Sequence, residues 1–247
     1  MRRLPSFRQH SDNTPLPGCT FLILEAGQGF GPLLAETLAE QGCRVIAAAD
    51  DPPENPAATN VIWTYSASVA MLAAERGPFD TIIFNAPALD KGALIDAEDG
   101  GAGLIEAVDA DVRHFLRDLQ DAVKALIGQA GAQVWVLLQE DSFDYCVDVP
   151  IAPIGSGARL SALRSLAKEC GRLGMAFNVI LFQPTDGMIG AESLRQARNG
   201  LKIYGLRWRP LARDTVIGAM VDHFLHSGAA ANGSVIHLGA GIHDHNF

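Results

Sequence analysis

Two strand-length apolar runs, joined through a glycine-rich turn and a helix, constrain the fold more than any other feature of this chain. Cys19–Ala26 (CTFLILEA) is apolar without alternation, as is Arg44–Asp50 (RVIAAAD) after its first residue. Continuous apolarity over so few residues fits strands covered on both faces, which is the setting of a parallel sheet. Between them lies a turn holding Gly27, Gly29 and Gly31, then Pro32–Gln41 with helical spacing. Pro32 suits a first helical position, where a missing N–H costs nothing, and Gly42 ends the helix.

The same alternation runs down the chain. Asn60–Tyr65 reads as a third strand, Ser68–Arg76 as a short helix and Phe79–Asn85 as a fourth strand. Lys91–Gly103 is polar and glycine-rich and reads as a surface loop. Leu104–Gly128 is a long amphipathic helix with Val112, Phe115, Leu116, Leu119, Val123 and Leu126 on one side. Gln133–Leu138 is a fifth strand, Gly157–Gly171 a helix, Phe177–Phe182 a sixth strand and Ser234–Leu238 a last one. Strands alternating with helices in this way predict a doubly wound parallel sheet flanked by helices, in a single domain over residues 19–241. No internal repeat and no second core interrupt it. Residues 1–18, with three prolines and Arg2, Arg3 and Arg8, read as an extended or disordered arm. Residues 242–247 read as a solvated tail.

Charge and cysteines narrow the function classes. A formal net charge of −9 disfavours nucleic acid and anionic membrane surfaces as partners. No apolar run reaches the about 18 residues of a membrane span. The four cysteines, Cys19, Cys43, Cys146 and Cys170, form no C-x-x-C pair and read as reduced thiols, which points to the cytoplasm. No metal site is expected: His243, Asp244 and His245 alternate on a tail, and His114 sits on the polar side of the long helix. Arg207, Arg209 and Arg213 read as a solvated basic cluster offset by Asp214, and Trp208 as a residue packing a loop.

The turn Gly27-Gln28-Gly29-Phe30-Gly31 follows the first strand and opens the first helix, where glycines let a backbone approach a pyrophosphate at the positive helix end. Asp50 ends the second strand about 20 residues on, where a carboxylate can accept from both ribose hydroxyls. Glycines in such a turn also serve packing alone.

With these elements in place the chain resembles the short-chain dehydrogenase/reductase family, whose fold is of the Rossmann type, from Cys19 to about Gly241. The family's T-G-x-x-x-G-x-G frame falls on Leu24 to Gly31. Gly29 and Gly31 match, Gly27 is extra, and Glu25 stands at the first glycine. The family's N-N-A-G appears as Phe84-Asn85-Ala86-Pro87. Arg164-Ser165-Leu166-Ala167-Lys168-Glu169 is very like the family's helix at that place, and so is the end, Gly233-Ser234-Val235-Ile236-His237-Leu238-Gly239.

The resemblance implies NAD(H) as cofactor if any binds, with Gly27, Gly29, Gly31, Asp50 and Asn85 as its contacts. It also implies where catalytic groups should stand. The family's serine falls on Gln139, and its Y-x-x-x-K on Ala152-Pro153-Ile154-Gly155-Ser156. The helix asparagine falls near Val112 to His114, where there is none. Alanine has no proton to transfer, and serine carries no charge to lower a phenol's pKa. Glu25 sets a carboxylate against a pyrophosphate, so tight dinucleotide binding is not expected.

Three functions follow in order. The first is a catalytically inactive subunit that stabilises an active paralogue, one acting on a hydroxyacyl-CoA by likeness to inactive subunits of such dehydrogenases. Contact would run through the long helix (Leu119, Val123, Leu126) and the next (Leu160, Leu163, Leu166, Cys170), in a hetero-oligomer or by self-association. The second is an NAD-dependent oxidoreductase with a displaced catalytic group, Tyr145. The third is a homo-oligomeric small-molecule binding protein that reuses the cleft.

Overall fold

The computed structural model describes residues 18–53, 60–85, 102–129, 131–140, 153–188, 190–202 and 209–239. Its centre is a sheet of β1 (Thr20–Leu24), β2 (Arg44–Ala49), β3 (Val61–Tyr65), β4 (Thr81–Asn85), β5 (Gln133–Gln139), β6 (Ala176–Phe182) and β7 (Val235–Leu238). The order is β3-β2-β1-β4-β5-β6-β7, and every neighbouring pair is parallel. The chain leaves β1 toward one edge of the sheet, through β2 and β3, then returns to add β4 on the other side. That reversal opens a crevice outside the carboxyl ends of β1 and β4.

Both faces are covered, which explains the uninterrupted apolar strands. On one face α2 (Val69–Arg76), α3 (Ala102–Leu126) and α4 (Pro153–Cys170) pack against Leu22, Ile82, Val134, Val136 and Val179. On the other, α1 (Gly31–Glu40) and α6 (Arg213–His226) cover Phe21, Ile23, Ile83, Trp135 and Ile180. Successive strand residues feed opposite cores, as the period of two requires. Trp135, fully buried, meets Phe224 edge-on at 5.2 Å and donates its indole N–H to Gln133.

The differences from the sequence expectation have local causes. α4 begins at Pro153 rather than Gly157. Gly155 and Gly157 read as breaks, but proline is tolerated in a first helical turn and the two glycines follow it inside the helix. α3 begins at Ala102, two residues before the expected start. α5 (Ala191–Lys202) and α6 go beyond the expected elements. α6 has a buried stripe of Val216, Ile217, Met220, Val221 and Phe224, but Ala212 at its N-cap supplies no capping side chain, so its start carries no signal.

The side chains expected to make an assembly surface mostly belong to the monomer's own core. Leu119, Leu126, Leu163 and Cys170 are buried against the sheet, and Val123, Leu160 and Leu166 pack on the same cluster. An amphipathic stripe in a two-faced sheet protein goes to the sheet first. The outward surface instead shows Ile105 and Leu116 on α3 and Ile154 on α4.

Cys19, Cys43 and Cys170 are free thiols. Among the described residues no cluster of His, Cys, Asp and Glu could hold a metal ion, and no helix is long and apolar enough to cross a membrane. The N-terminal arm, the C-terminal tail with His243 to His245, and Tyr145, Cys146, Ala152, Arg207 and Trp208 lie outside the described residues.

Candidate functional site

The crevice is built on the turn after β1. Ala26 N–H donates to Ala48 O at 2.7 Å, carrying the β1–β2 pairing past the end of β1. Gly31 N–H then closes on Gln28 O at 2.9 Å and α1 begins. The turn's glycines are not equivalent. A Cβ on Gly31 would lie 2.3 Å from Ala26 O and 2.6 Å from Ala26 Cα, so backbone meets backbone there and only glycine fits. Gly29 has φ 53°, a left-handed conformation that favours glycine. A Cβ on Gly27 would stand 3.1 Å from the Ala49 side chain.

Glu25 is the one described residue other than glycine with positive φ, at 54°. It occupies the position where the resembled family keeps its first glycine, so the turn retains a glycine-like backbone with a carboxylate on it. Asn85, 5% exposed at the end of β4, holds this turn. Its amide donates to Glu25 O and to Gln28 O, both at 2.9 Å. Both amide hydrogens are thereby committed to the turn's carbonyls, which makes Asn85 a brace for the turn.

Arg213 is exposed, as expected, and also engages the turn. From the first turn of α6 its guanidinium donates to Gly29 O and lies 5.7 Å over the Phe30 ring. The signal missing from the sequence was distance: Arg213 and Gly29 meet only because α1 and α6 share one face of the sheet.

Beyond the turn the crevice opens into a cleft of about 530 Å³, lined by Glu25, Gly27, Gln28, Asp50, Asp51 and Ser66, with Arg117 and Asp118 of α3 opposite. Asp50 stands where its sequence position predicts, exposed at the end of β2 and facing the cleft. His114 also lines it, 3.1 Å from Asp118. The lining carries four carboxylates, and two of them hold protons more tightly than usual. Burial raises Glu25 most. Arg159 and His114 pull it back, while Asp111 and Asp50 push it further up. Asp118 is raised by burial first and by Asp121, against the pull of His114 and Arg117.

The wall between α3 and α4 holds what sequence reasoning missed. Arg159, 5% exposed, sends Nη2 to both oxygens of Asp111 at 2.9 Å and lies 5.3 Å over the Phe115 ring. Its Nε has no partner. A guanidinium stays protonated at any ordinary pH, so this pair ties helices together but moves no proton. A signal existed. Arg159 falls on the inward stripe of α4 with Leu163, Ala167 and Cys170, and Asp111 lies one turn before Phe115 on the inward stripe of α3. Opposite charges set into two facing apolar stripes predict each other.

Nearby, Gln139 ends β5 half-buried, opposite Phe182, and Ser156 lies half-buried in the first turns of α4. The next residue, Glu140, is 2% exposed. It accepts from Gln183 Nε2 at 2.9 Å and lies 3.3 Å from His237 Nδ1.

No protein-family model and no curated protein matches the chain. Solved structures do. A short-chain dehydrogenase from Leptospira borgpetersenii with bound NAD+ superposes with a TM-score of 0.74, covering 98% of this chain and 99% of that one at 13% identity. A 3-ketoacyl-(acyl-carrier-protein) reductase from Brucella melitensis, complexed with NADH, gives 0.70 over 92% and 98% at 16% identity. A dehydrogenase/reductase from Sinorhizobium meliloti gives 0.67 over 92% and 95%, also at 16%. The fold is that of the short-chain dehydrogenases. The end-to-end coverage bears out the expected sheet. At these identities the likeness speaks for the dehydrogenase fold, and the site must speak for itself.

Proposed function

We propose that this chain is a non-catalytic subunit with the short-chain dehydrogenase fold, which assembles with and stabilises an active dehydrogenase of the same fold. The observation that carries the reading is that Gln139 and Ser156 stand half-buried where the resemblance puts a serine and a lysine. Neither side chain can supply the proton transfer or the positive charge that the resembled family uses there. The buried Arg159–Asp111 pair follows Ser156 along α4 and ties that helix to α3.

The cofactor reading follows from the cleft. Two solved neighbours hold NAD+ or NADH. Here the glycine turn and Asp50 suit the adenosine end of such a molecule, but Glu25, Asp51 and Asp118 add negative charge beside a diphosphate, against Arg117 and the already engaged Arg213. Tight dinucleotide binding does not fit this lining, and no step through NAD(H) is assigned to the chain. The partner would meet the outward faces of α3 and α4, where Ile105, Leu116 and Ile154 are 66%, 46% and 57% exposed. Its substrate class, by the likeness to inactive subunits, is a hydroxyacyl-CoA.

The test is purification of the tagged chain from its native cells. The expected result is a stoichiometric second chain of this fold bearing Ser and Tyr-x-x-x-Lys, whose dehydrogenase activity the complex carries and the isolated chain lacks. Turnover by the isolated chain, or its recovery with no second chain, overturns the proposal. Turnover lost on Tyr145→Phe would establish the displaced-tyrosine oxidoreductase instead.

A further inference from the structure

We propose that Cys19 and Cys43 form a redox-addressable pair that closes into a disulfide, stapling the β1–turn–α1 unit at its base. The inference is independent of the proposed function and concerns the end of the sheet opposite the cleft.

Register sets the two residues side by side. β1 and β2 run parallel with Thr20 opposite Arg44, and Arg44 N–H donates to Cys19 O at 3.0 Å. One step toward the amino ends, Cys19 stands beside Cys43. Their side chains share a face. Cys43, 1% exposed, belongs to the core under α1 and α6, and Cys19 packs against that same cluster from its partly exposed position. Neighbouring strands lie about 4.8 Å apart, inside the about 4.4–6.8 Å between Cα atoms that a disulfide tolerates. Cys43 also senses the charge of Cys19. Burial and then the Cys19 charge push the Cys43 thiol up to about 11. Burial and then Asp80 push Cys19 up. Both thiols are therefore held in the protonated form.

Their unequal exposure orders the chemistry. Cys19 is the sulfur a small disulfide can reach. Its thiolate attacks one sulfur of oxidised glutathione, forming a protein–glutathione disulfide and releasing one glutathione thiolate. Cys43 gives up its proton as it attacks the Cys19 sulfur, the mixed S–S bond breaks, and a second glutathione leaves. The sum is two protein thiols and one oxidised glutathione converted to one protein disulfide and two glutathione thiols. The loop so closed contains β1, the glycine turn and α1. The bond would restrict the unfolded chain over the segment that forms one wall of the cleft.

The experiment treats the intact chain with oxidised glutathione at mildly alkaline pH and maps the products by mass spectrometry without reduction. The expected product has lost two hydrogen atoms per chain, yields a peptide joining Cys19 to Cys43, and melts about 5 °C or more above the reduced form. Dithiothreitol reverses both changes. Cys43→Ser is expected to stop at a stable glutathione adduct on Cys19. A persistent Cys19 adduct on the unsubstituted chain overturns the proposal. So do a bond to Cys146 or Cys170, a cross-link between two copies, or no reaction at all. Mapping of the unsubstituted chain decides the matter whether or not the variant folds.

Discussion

The two walls of the cleft are defined by different parts of the chain, one by its backbone and the other by its side chains. One wall, β1 with its turn and α1, keeps the geometry of a nucleotide turn: Gly31 where no Cβ fits, Gly29 left-handed, Asn85 bracing two carbonyls. The other, made by α3, α4 and the end of β5, holds a buried ion pair between the two helices, and Gln139 and Ser156 where the resemblance puts a serine and a lysine. The first wall is defined by backbone, and that backbone also joins β1 to α1. The second is defined by side chains, which the fold requires only to fill space and pair their charges. Folding alone preserves the first and is indifferent to the identity of the second.

The sharpest way to break this comparison is to disturb the ion pair. Arg159 and Asp111 are 6% and 15% exposed at the side chain, so removing either leaves an uncompensated charge in the wall. Arg159→Leu or Asp111→Ala is expected to cost about 3–5 kcal/mol in urea unfolding. The double replacement Asp111→Leu with Arg159→Leu is expected to recover most of that loss, because apolar groups of similar volume often substitute for a buried pair. Full additivity of the two losses would mean that the residues do not act as a pair.

Gly31→Ala tests the backbone wall. Its new methyl would overlap Ala26 main-chain atoms, which are fixed by the bond to Ala48. Loss of about 2–3 kcal/mol is expected, against little change for alanine at Gly157, where nothing lies within 4 Å. Equal effects at the two positions would show that the turn is looser than drawn.

How much of this was legible beforehand divides along the same line. The strands were plain because each apolar run serves two covered faces, and the glycine turn was plain because its spacing is local. The bracing bonds of Asn85 are not legible in the sequence. Its two acceptors are made by a turn some 60 residues away. Arg213 and Arg159 were missed for a related reason. Each looks like a surface charge until a second helix is laid beside it, and helix adjacency is a property of the sheet order rather than of any window of sequence. The apolar stripes of α3 and α4 were seen, yet assigned to a partner when the sheet itself claims them.

Removing the brace gives a smaller effect. Asn85→Ala deletes two 2.9 Å hydrogen bonds and leaves Glu25 O and Gln28 O to water or to nothing. A loss of about 1–2 kcal/mol is expected, with faster amide hydrogen exchange confined to residues 25–31. Exchange spread over the whole sheet would mean that Asn85 supports the core and not the turn.

The smallest effect should come from Glu25, where the two walls touch. A side chain at φ 54° is strained, so Glu25→Gly is expected to gain about 1 kcal/mol where most substitutions lose. The carboxyl adds a pH signature. Its pKa is raised in the fold by burial above the ordinary 4.5, so the folded state keeps a proton that the unfolded chain has released. Stability must therefore fall as pH rises from about 4.5 through the raised value, and be unaffected by this group below that window. Glu25→Gln should remove the fall but keep the strain; Glu25→Gly should remove both. If Glu25→Gly also brings measurable NADH binding by calorimetry while Asp111 and Arg159 stay in place, the turn alone was excluding the dinucleotide. If it gains stability without binding, the carboxylates of α3 and the strand ends are sufficient to keep a diphosphate out.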